Sequence, residues 1–481
     1  MESMAQMFIN GESVPAKSGQ TYEVKNPATG EVVDTAAKGT AEDVEAAVAA
    51  AEAAFAEWRH TSPEARGQHL HKGAEKVREK LDELAVLETK EQGKPVAEAK
   101  REIEHFLHGL EFYAGLASKI RGAHVPLPDN RMYGMVIKQP IGVCAGIVPW
   151  NFPITLMGTK VGPALAAGNT MIVKPASTTP LTAIRIIELL NQAGLPKGVL
   201  NIVTGPGGTL GEALLKHPRI RRIAFTGATD TGKHVAECAA PQMKRLTLEL
   251  GGSDPMIVCD DAAIDAAVTG AAVGRFYNCG QACLAIKRLY LFESVYDQFV
   301  EKLLGKVKRL KIGNGLEEKI RVGPLHTAAQ REEIESQVAD AIKRGGKVLA
   351  GGKRPEGDQY AKGFFYEPTL LENIPDDAHI VQEESFGPAL PIFKVKDLDE
   401  AIARANNSQY GLGSSIWTRD LARARRAAER LEAGNVWINS LHIGYDELPF
   451  GGVKYSGIGR EHGPEALEYY LESKGVVVAT G

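Results

Sequence analysis

The chain has 481 residues, 44% hydrophobic and 24% charged, which is too long for one ordinary core and implies two or three domains. Its 56 basic and 60 acidic residues leave a net charge of −4, which supplies no electrostatic footprint for nucleic acid. There is no run of about eighteen apolar residues, and MESMAQMFINGESV lacks a charged then apolar leader, so neither a membrane span nor secretion is expected.

In chain order, AEDVEAAVAAAEAAFAEW from residue 41 is rich in alanine and glutamate, has few breakers, and is predicted helical. Thr61-Ser62-Pro63 then reads as a cap with proline in the first turn of another helix. Beyond residue 140 the texture changes to short apolar runs ending in turn residues: IGVCAGIVPW, TMIVKPAS, VLNIVTGPGG and RRIAFTGATDTG. Helical stretches at 180–193 and 210–217 lie between them, an alternation that predicts βαβ units and a parallel sheet. After LTLELGG the alternation restarts. DPMIVCD, RLYLFES and GNVWINS read as strands, and DAAIDAAVTGAAVGRFYN and SVYDQFVEKLLGKVKRL as helices. The expected class is α/β, with two doubly wound Rossmann-like units meeting near Leu250 across a cleft. Two segments fit neither unit: 124–139, and LESKGVVVAT near the C-terminus. They read equally well as an edge hairpin or as strands that pair with a second subunit.

The five cysteines, Cys144, Cys238, Cys259, Cys279 and Cys283, are odd in number and contain no CxxC pair. That argues against a disulfide framework and a zinc knuckle, so no metal site is expected and a reducing cytoplasm fits. A free cysteine is ordinarily inert packing. Cys283 differs in its neighbours. In FYNCGQACLA it follows Gly280-Gln281 where helix gives way to strand, and backbone N–H groups exposed there stabilise a thiolate or an oxyanion. Glu249 in TLELGG sets a carboxylate near the end of an apolar strand. Partial desolvation there raises its pKa and suits it to take a proton from water or a thiol. Asn151 in VPWNFPIT occupies a rigid turn, as a turn former or as an oxyanion donor beside the Cys283 N–H.

The segments PWNFP, IVKPAS, FTGATDTG, LELGG, GQAC, EESFGP and PFGGVKYSGIGREHG occur in the order found in the aldehyde dehydrogenase superfamily. The chain resembles that family from about residue 8 to its end. The resemblance implies that Cys283 is the nucleophile, forming a thiohemiacetal and, after hydride transfer, a thioester. It implies Glu249 as the base that activates the hydrolytic water and Asn151 as the oxyanion donor. Lys160 and Glu461 match a proton relay proposed in some members, although a structural ion pair would look the same. The implied organisation is a dinucleotide-binding unit at 1–122 and 141–250 and a catalytic unit at 251–450. Residues 451–467 return to the cofactor unit, and 123–140 and 468–481 form oligomerisation strands.

For the dinucleotide, NAD or NADP, the resemblance implies Lys174 at the adenosine ribose and Gly227 and Gly232 where a helix N-terminus faces the pyrophosphate. Glu384 would grip the nicotinamide ribose with Phe386 nearby, and Ile147, Pro149, Trp150, Gly207, Phe225 and Leu250 would complete the groove. GPGGTLG has the wrong spacing for an ordinary GxGxxG, a departure typical of the family. Ser177 stands where strictly NAD-dependent members often carry a glutamate, so repulsion of a 2′-phosphate is absent and NADP acceptance is expected. Ala228 stands where serine is common and removes one pyrophosphate contact.

Met157, Thr159, Tyr277, Leu284, Gly444 and Leu448 are expected to line the aldehyde tunnel. They are mostly apolar or small, implying an uncharged aliphatic or aromatic aldehyde. MGTK also lacks the arginine that members specific for succinate semialdehyde tend to carry. A CoA-acylating enzyme typically lacks the activating glutamate, so Glu249 favours hydrolysis. A non-catalytic protein on the same scaffold would have no need of Cys283, Glu249 and Asn151 together. Cys279 matches no catalytic position and reads as a passive thiol. The expected partners are a small aldehyde and further copies of the chain, as a homodimer or homotetramer, with no nucleic acid or membrane.

Overall fold

The computed structural model describes residues 4–479. The alanine-rich helix spans Ala41–Trp58, its entry closed by a capping box in which the Thr40 N–H donates to Asp43 at 2.7 Å. The next helix, Pro63–Arg78, begins with Ser62 accepting from the Ala65 N–H at 3.2 Å and proline in the first turn.

Two α/β units follow. The first has an eight-stranded sheet whose five central strands are parallel: Arg245–Glu249, Arg222–Thr226, Val143–Ile147, Thr170–Lys174 and Leu200–Ile202, in that spatial order. Val143–Ile147 comes first in sequence yet lies in the middle, so the chain winds outward both ways from it. Doubly wound sheets bind ligands at that reversal, beyond the carboxyl ends of the strands. The hairpin Met7–Ile9 and Glu12–Val14 extends one edge, and Gly457–Ile458 pairs antiparallel with Arg245–Glu249 at the other. Apolar cores cover both faces of this sheet.

The second unit has a seven-stranded sheet. Its middle strands are Thr369–Glu372, Ala389–Val395, Ile286–Phe292, Asp254–Val258 and Gly413–Trp417, all parallel, with one antiparallel edge at Lys347–Ala350. One large apolar cluster surrounds it. All the strands read from the two α/β blocks form, and the helices at 180–193 and 210–217 appear trimmed, as Leu181–Gln192 and Glu212–Lys216.

The two segments that fit neither unit meet each other. Met132–Pro140 pairs with Leu471–Ala479 over nine residues, and Ala123–Pro126 forms the outer edge. The last two residues of 468–481, like residues 1–3, lie outside those described. Val125, Met132, Ile137 and Val477 leave apolar surface exposed on this small sheet. A second three-stranded sheet near the N-terminus joins Met4–Ala5, Val32–Ala37 and Thr21–Lys25.

Candidate active site

The thiol sits on a loop held in an uncommon backbone form. After the helix Ile264–Phe276 the chain passes through three successive left-handed residues, Asn278 (φ 48°), Cys279 (φ 56°) and Gly280 (φ 75°). Side-chain-bearing residues rarely adopt that region, and their surroundings must hold them there. The Asn278 N–H donates to Glu98 at 2.8 Å, its side-chain amide to Asn151 O at 2.8 Å, and Gln281 Nε2 to Asn278 O at 3.0 Å. At Gly280 any side chain would collide with the carbonyl of Gly387. The loop then delivers Cys283, part-buried, into a cavity of about 500 Å³. Its N–H has no acceptor among the described residues.

Beneath the loop lies Lys287, fully buried, whose Nζ donates to Ala282 O, to Cys283 O and to Glu384 Oε1 at 3.1 Å. Burial pushes the Cys283 thiol up to about 12. Lys287 pulls the other way, and the carboxylates of Glu249, Glu384 and Asp254 add to the rise. Cys279 is buried in the core of the second unit, and burial pushes its thiol up further still. All five cysteines are free thiols.

Asn151 faces the thiol loop from the first unit. Its Nδ2 donates to Gln281 O at 3.1 Å, and its carbonyl accepts from Lys94 Nζ at 2.8 Å as well as from Asn278. Lys94 belongs to a buried cluster with Glu88 (2.9 Å) and Glu102. The other oxygen of Glu102 accepts the N–H groups of Ile154 (2.8 Å) and Thr155 (3.1 Å), satisfying the start of the helix Pro153–Ala166. Burial and the nearby Glu102 carboxylate raise the Glu88 carboxyl well above its ordinary range, with Lys94 pulling the other way.

Glu249 ends its strand with its carboxylate at the cavity wall, and Oε1 is buried without a hydrogen-bond partner among the described residues. Burial, then repulsion from Glu461, raises its pKa well above the ordinary value. Lys160, Arg460 and the Gly452 N–H only partly counter this. A side chain at position 451 would strike that carboxylate, so Gly451 (φ 157°) gives it room. Lys160 and Glu461 pair at 2.8 Å, both buried, with Lys160 also donating to Thr226 at 2.7 Å and Thr159 to Glu461 at 2.7 Å.

The residues expected at the dinucleotide cluster at the carboxyl ends of the first sheet. Ile147 and Lys174 are the last residues of their strands, Phe225 is next to last, and Leu250 directly follows Glu249. Pro149 and Trp150 continue from Ile147, and Gly227 and Ala228 lead into the helix Thr229–Ala239, which contains Gly232. Lys174 is buried with a single hydrogen bond, to Pro175 O at 3.1 Å, and burial pushes it down to about 8. A buried ammonium so poorly paired suits a ligand with hydroxyls or phosphate. Ser177, half-buried, lies in the turn after it, and Gly207 opens onto free space. Glu384 accepts from the Gly252 N–H at 3.1 Å, and a side chain at Gly251 would collide with it, which accounts for the paired glycines of LELGG. Trp150 stacks on His326 at 4.6 Å and meets Phe386 edge-on at 5.6 Å. Burial pushes His326 down to about 4, so the ring is neutral; Nδ1 donates to Gln92 O (3.0 Å) and Nε2 accepts from Thr178 (2.7 Å).

Of the expected tunnel residues, Tyr277, Leu284 and Gly444 line the cavity. Met157, Thr159 and Leu448 do not. On the helix Pro153–Ala166, Thr155 and Leu156 face the cavity, while Met157, one residue or about 100° further round, is fully buried in the helical core. Thr159 is taken by Glu461. Leu448 is 61% exposed, outside the wall. The inner wall is apolar, with Phe152 and Tyr277 stacked at 6.1 Å, and Phe450 and Leu284 nearby. The outer end carries Arg101, His105 and His108 from one face of the helix Val96–Leu116, opposite the loop from Leu441 to Glu447. Sequence reasoning missed Lys94, Glu102, Asn278, Lys287, His326 and this outer group. The only local signal was acidic residues at helical spacing, Glu98 and Glu102, which reads as a solvated face.

Comparison with known proteins agrees over the whole chain. The family model described as the aldehyde dehydrogenase family matches residues 14–476. A glutarate-semialdehyde dehydrogenase of Pseudomonas putida is 46% identical over 98% of this chain and 96% of its own length. The crystal structure of an NADP-dependent enzyme of E. coli superimposes with a TM-score of 0.97 at 42% identity, covering 99% of this chain and 98% of that one. A betaine aldehyde dehydrogenase of Staphylococcus aureus in complex with NAD+ superimposes with a TM-score of 0.97 at 38% identity, covering 100% and 96%. The chain belongs to the aldehyde dehydrogenase family.

Proposed function

We propose that in this NAD(P)-dependent aldehyde dehydrogenase Cys283 is the nucleophile, Glu249 the general base and Asn151 an oxyanion donor. The observation that carries the reading is a part-buried thiol and a buried, unpartnered carboxylate facing one cavity. Cys283 releases its proton to water in the cavity, and its sulfur bonds to the aldehyde carbon. The resulting oxyanion takes hydrogen bonds from Asn151 Nδ2 and the free Cys283 N–H. When bound, NAD(P)+ supplies the hydride acceptor that leaves the acyl group on Cys283 as a thioester. Glu249 then takes a proton from water as that water attacks the acyl carbon, the C–S bond breaks, and the carboxylic acid departs. Lys160 and Glu461 hold charge beside Glu249 and give its proton a way out through Thr226 and Thr159.

Lys174, Ser177, Gly227, Gly232 and Glu384, at the strand ends, are the residues that would hold the dinucleotide. Ser177 places no negative charge beside Lys174, which supports use of NADP. The apolar inner wall supports an uncharged aliphatic or aromatic aldehyde. Arg101 at the outer end favours a second reading, an aldehyde with a distal carboxylate, as in the name of the P. putida relative. The exposed apolar residues of the small sheet support a homodimer or a dimer of dimers, and the five free thiols fit the cytoplasm.

The test is a panel of aliphatic, aromatic and carboxylated aldehydes with NAD and with NADP, with and without CoA. Acid formation without CoA is expected. A strict requirement for CoA would overturn the hydrolytic role of Glu249. A far lower kcat/KM with NADP than with NAD would overturn the reading of Ser177.

A further inference from the structure

The outer end of the cavity holds a group of side chains that the reaction does not use. Asp446, 2% exposed, lies on the cavity-lining loop, and its ion-pair partners among the described residues are histidines alone. Oδ2 is 2.7 Å from His108 Nδ1 and 3.5 Å from His105 Nε2, and Oδ1 is 2.8 Å from His462 Nδ1. The rings of His105 and His462 stack at 5.7 Å. No lysine or arginine among the described residues reaches this carboxylate. A buried anion is costly unless a cation neutralises it.

We propose that His105, Asp446 and His462 form a binding site for a divalent transition-metal ion such as Zn²⁺ in the wall of the substrate cavity. One ligand atom from each lies within 4.8 Å of the other two. With Zn–N and Zn–O bonds of about 2.0–2.2 Å, tetrahedral ligand atoms stand roughly 3.3 Å apart. The His462 nitrogen lies 2.8 Å from Oδ1 and the His105 nitrogen 3.5 Å from Oδ2, so a rotation of the Asp446 carboxylate is what presents one oxygen to an ion between the two rings. Two imidazoles and one carboxylate are a donor set that zinc favours. The ligands come from three segments, a long helix, the cavity loop and the return segment, so the fold, not helical spacing, assembles them. His108 on the same carboxylate holds it in place, as supporting residues do at metal sites. All three ligands line the cavity, which leaves the ion's fourth position open to water or to a ligand atom of an entering molecule. An ion there narrows the path to Cys283, a consequence that rests on the proposed role of that cavity. From the sequence no metal site is expected, since the cysteines lack ligand spacing and the histidines form no HxxxH pair, and the proposed site departs from that expectation.

The test uses the full chain carrying Cys283→Ser, so that the nucleophile cannot bind metal. Titration calorimetry with Zn²⁺ should show one ion per chain. Adding His105→Ala or Asp446→Asn should weaken binding at least about tenfold. His105 is half-exposed, so its variant decides the matter even if the Asp446 variant does not fold. Co²⁺ should give tetrahedral d–d absorption without a thiolate charge-transfer band. No binding, or binding unchanged by His105→Ala, would overturn the site. So would a thiolate band, which would assign the ion to Glu212, His234 and Cys238, none of which lines the cavity. With the unsubstituted enzyme, Zn²⁺ should raise the KM for aldehyde, and a chelator should reverse it. Inhibition that is not competitive with aldehyde, with the His105 dependence intact, would leave the metal site standing and reject the cavity as the aldehyde path.

Discussion

The two ends of the cavity are built on different principles. At the inner end every polar group that positions the thiol is fixed by a partner with a settled charge or by a backbone group: Lys287 under the loop, and Lys94 and Asn278 on the carbonyl of Asn151. At the outer end a single carboxylate, Asp446, is shared by three titratable rings, and Arg101 and His108 are exposed. A site that must hold reacting atoms to a fraction of an ångström needs the first kind of support. A mouth that sorts or admits ligands tolerates the second. The difference implies that inner substitutions alter kcat or stability, whereas outer substitutions alter selection.

The largest expected effect is at the proposed nucleophile. Cys283→Ser should lower kcat by at least about 10³-fold while cofactor binding, followed by fluorescence titration, persists. Glu249→Gln should lower steady-state kcat roughly 10²–10⁴-fold, yet a single burst of reduced cofactor should survive, because only the hydrolytic step needs the base. The sign of its pH dependence follows from its raised pKa. The base works only when deprotonated, so kcat falls as pH drops through a value above the usual carboxylate range, and the Gln variant loses that limb. The same burial makes the folded chain hold this proton more tightly than the unfolded chain does. The Glu249 contribution to stability is therefore present below about pH 4.3 and is lost as pH rises through the folded pKa. A thermal melt series should show Glu249→Gln relatively more stable at high pH. A difference of the opposite sign would contradict the buried, unpartnered carboxylate.

Breaking the inner support should act through stability. Lys94→Met leaves two acids buried without their cation, and an expected loss of about 3–5 kcal/mol would appear in denaturant unfolding. At the outer wall, Tyr445→Ala should change the ratio of kcat/KM between large and small apolar aldehydes by roughly 10–200-fold, with kcat for the smallest aldehyde little changed. If instead kcat for all aldehydes fell together, the division between inner and outer ends would not hold. The smallest effect belongs to Cys279→Ser, which should leave kcat within about twofold, since that thiol is core packing in a strained turn.

Motifs whose chemistry depends on local backbone were legible without the structure. LELGG ends a strand because apolar alternation stops at two glycines, and its second glycine N–H meets Glu384. Lys174, Phe225 and Glu249 lie at parallel strand ends, where strand–turn–helix patterning alone places them. Met157 shows the limit. Its place in the tunnel is expected from resemblance, and on the helix Pro153–Ala166 it is Leu156, one residue earlier, that faces the cavity while Met157 enters the core. Nothing in the sequence marks Glu88, Lys94 and Glu102 as a buried cluster, because charge pattern does not say what packs against it. His326 lies 176 positions beyond Trp150, and no local pattern announces their stacking.

By itself the sequence determined the α/β class and the two successive units, because strand and helix periods and turn residues act over a few positions, while the thiol, carboxylate and amide proposed for the chemistry came from motifs that resemble those of a known family. Only the tertiary structure decided which polar groups share a buried environment. That decision sets Glu461 beside Glu249, the cation beneath Cys283 and the histidines around Asp446, since desolvation and pairing depend on what the fold brings within a few ångströms.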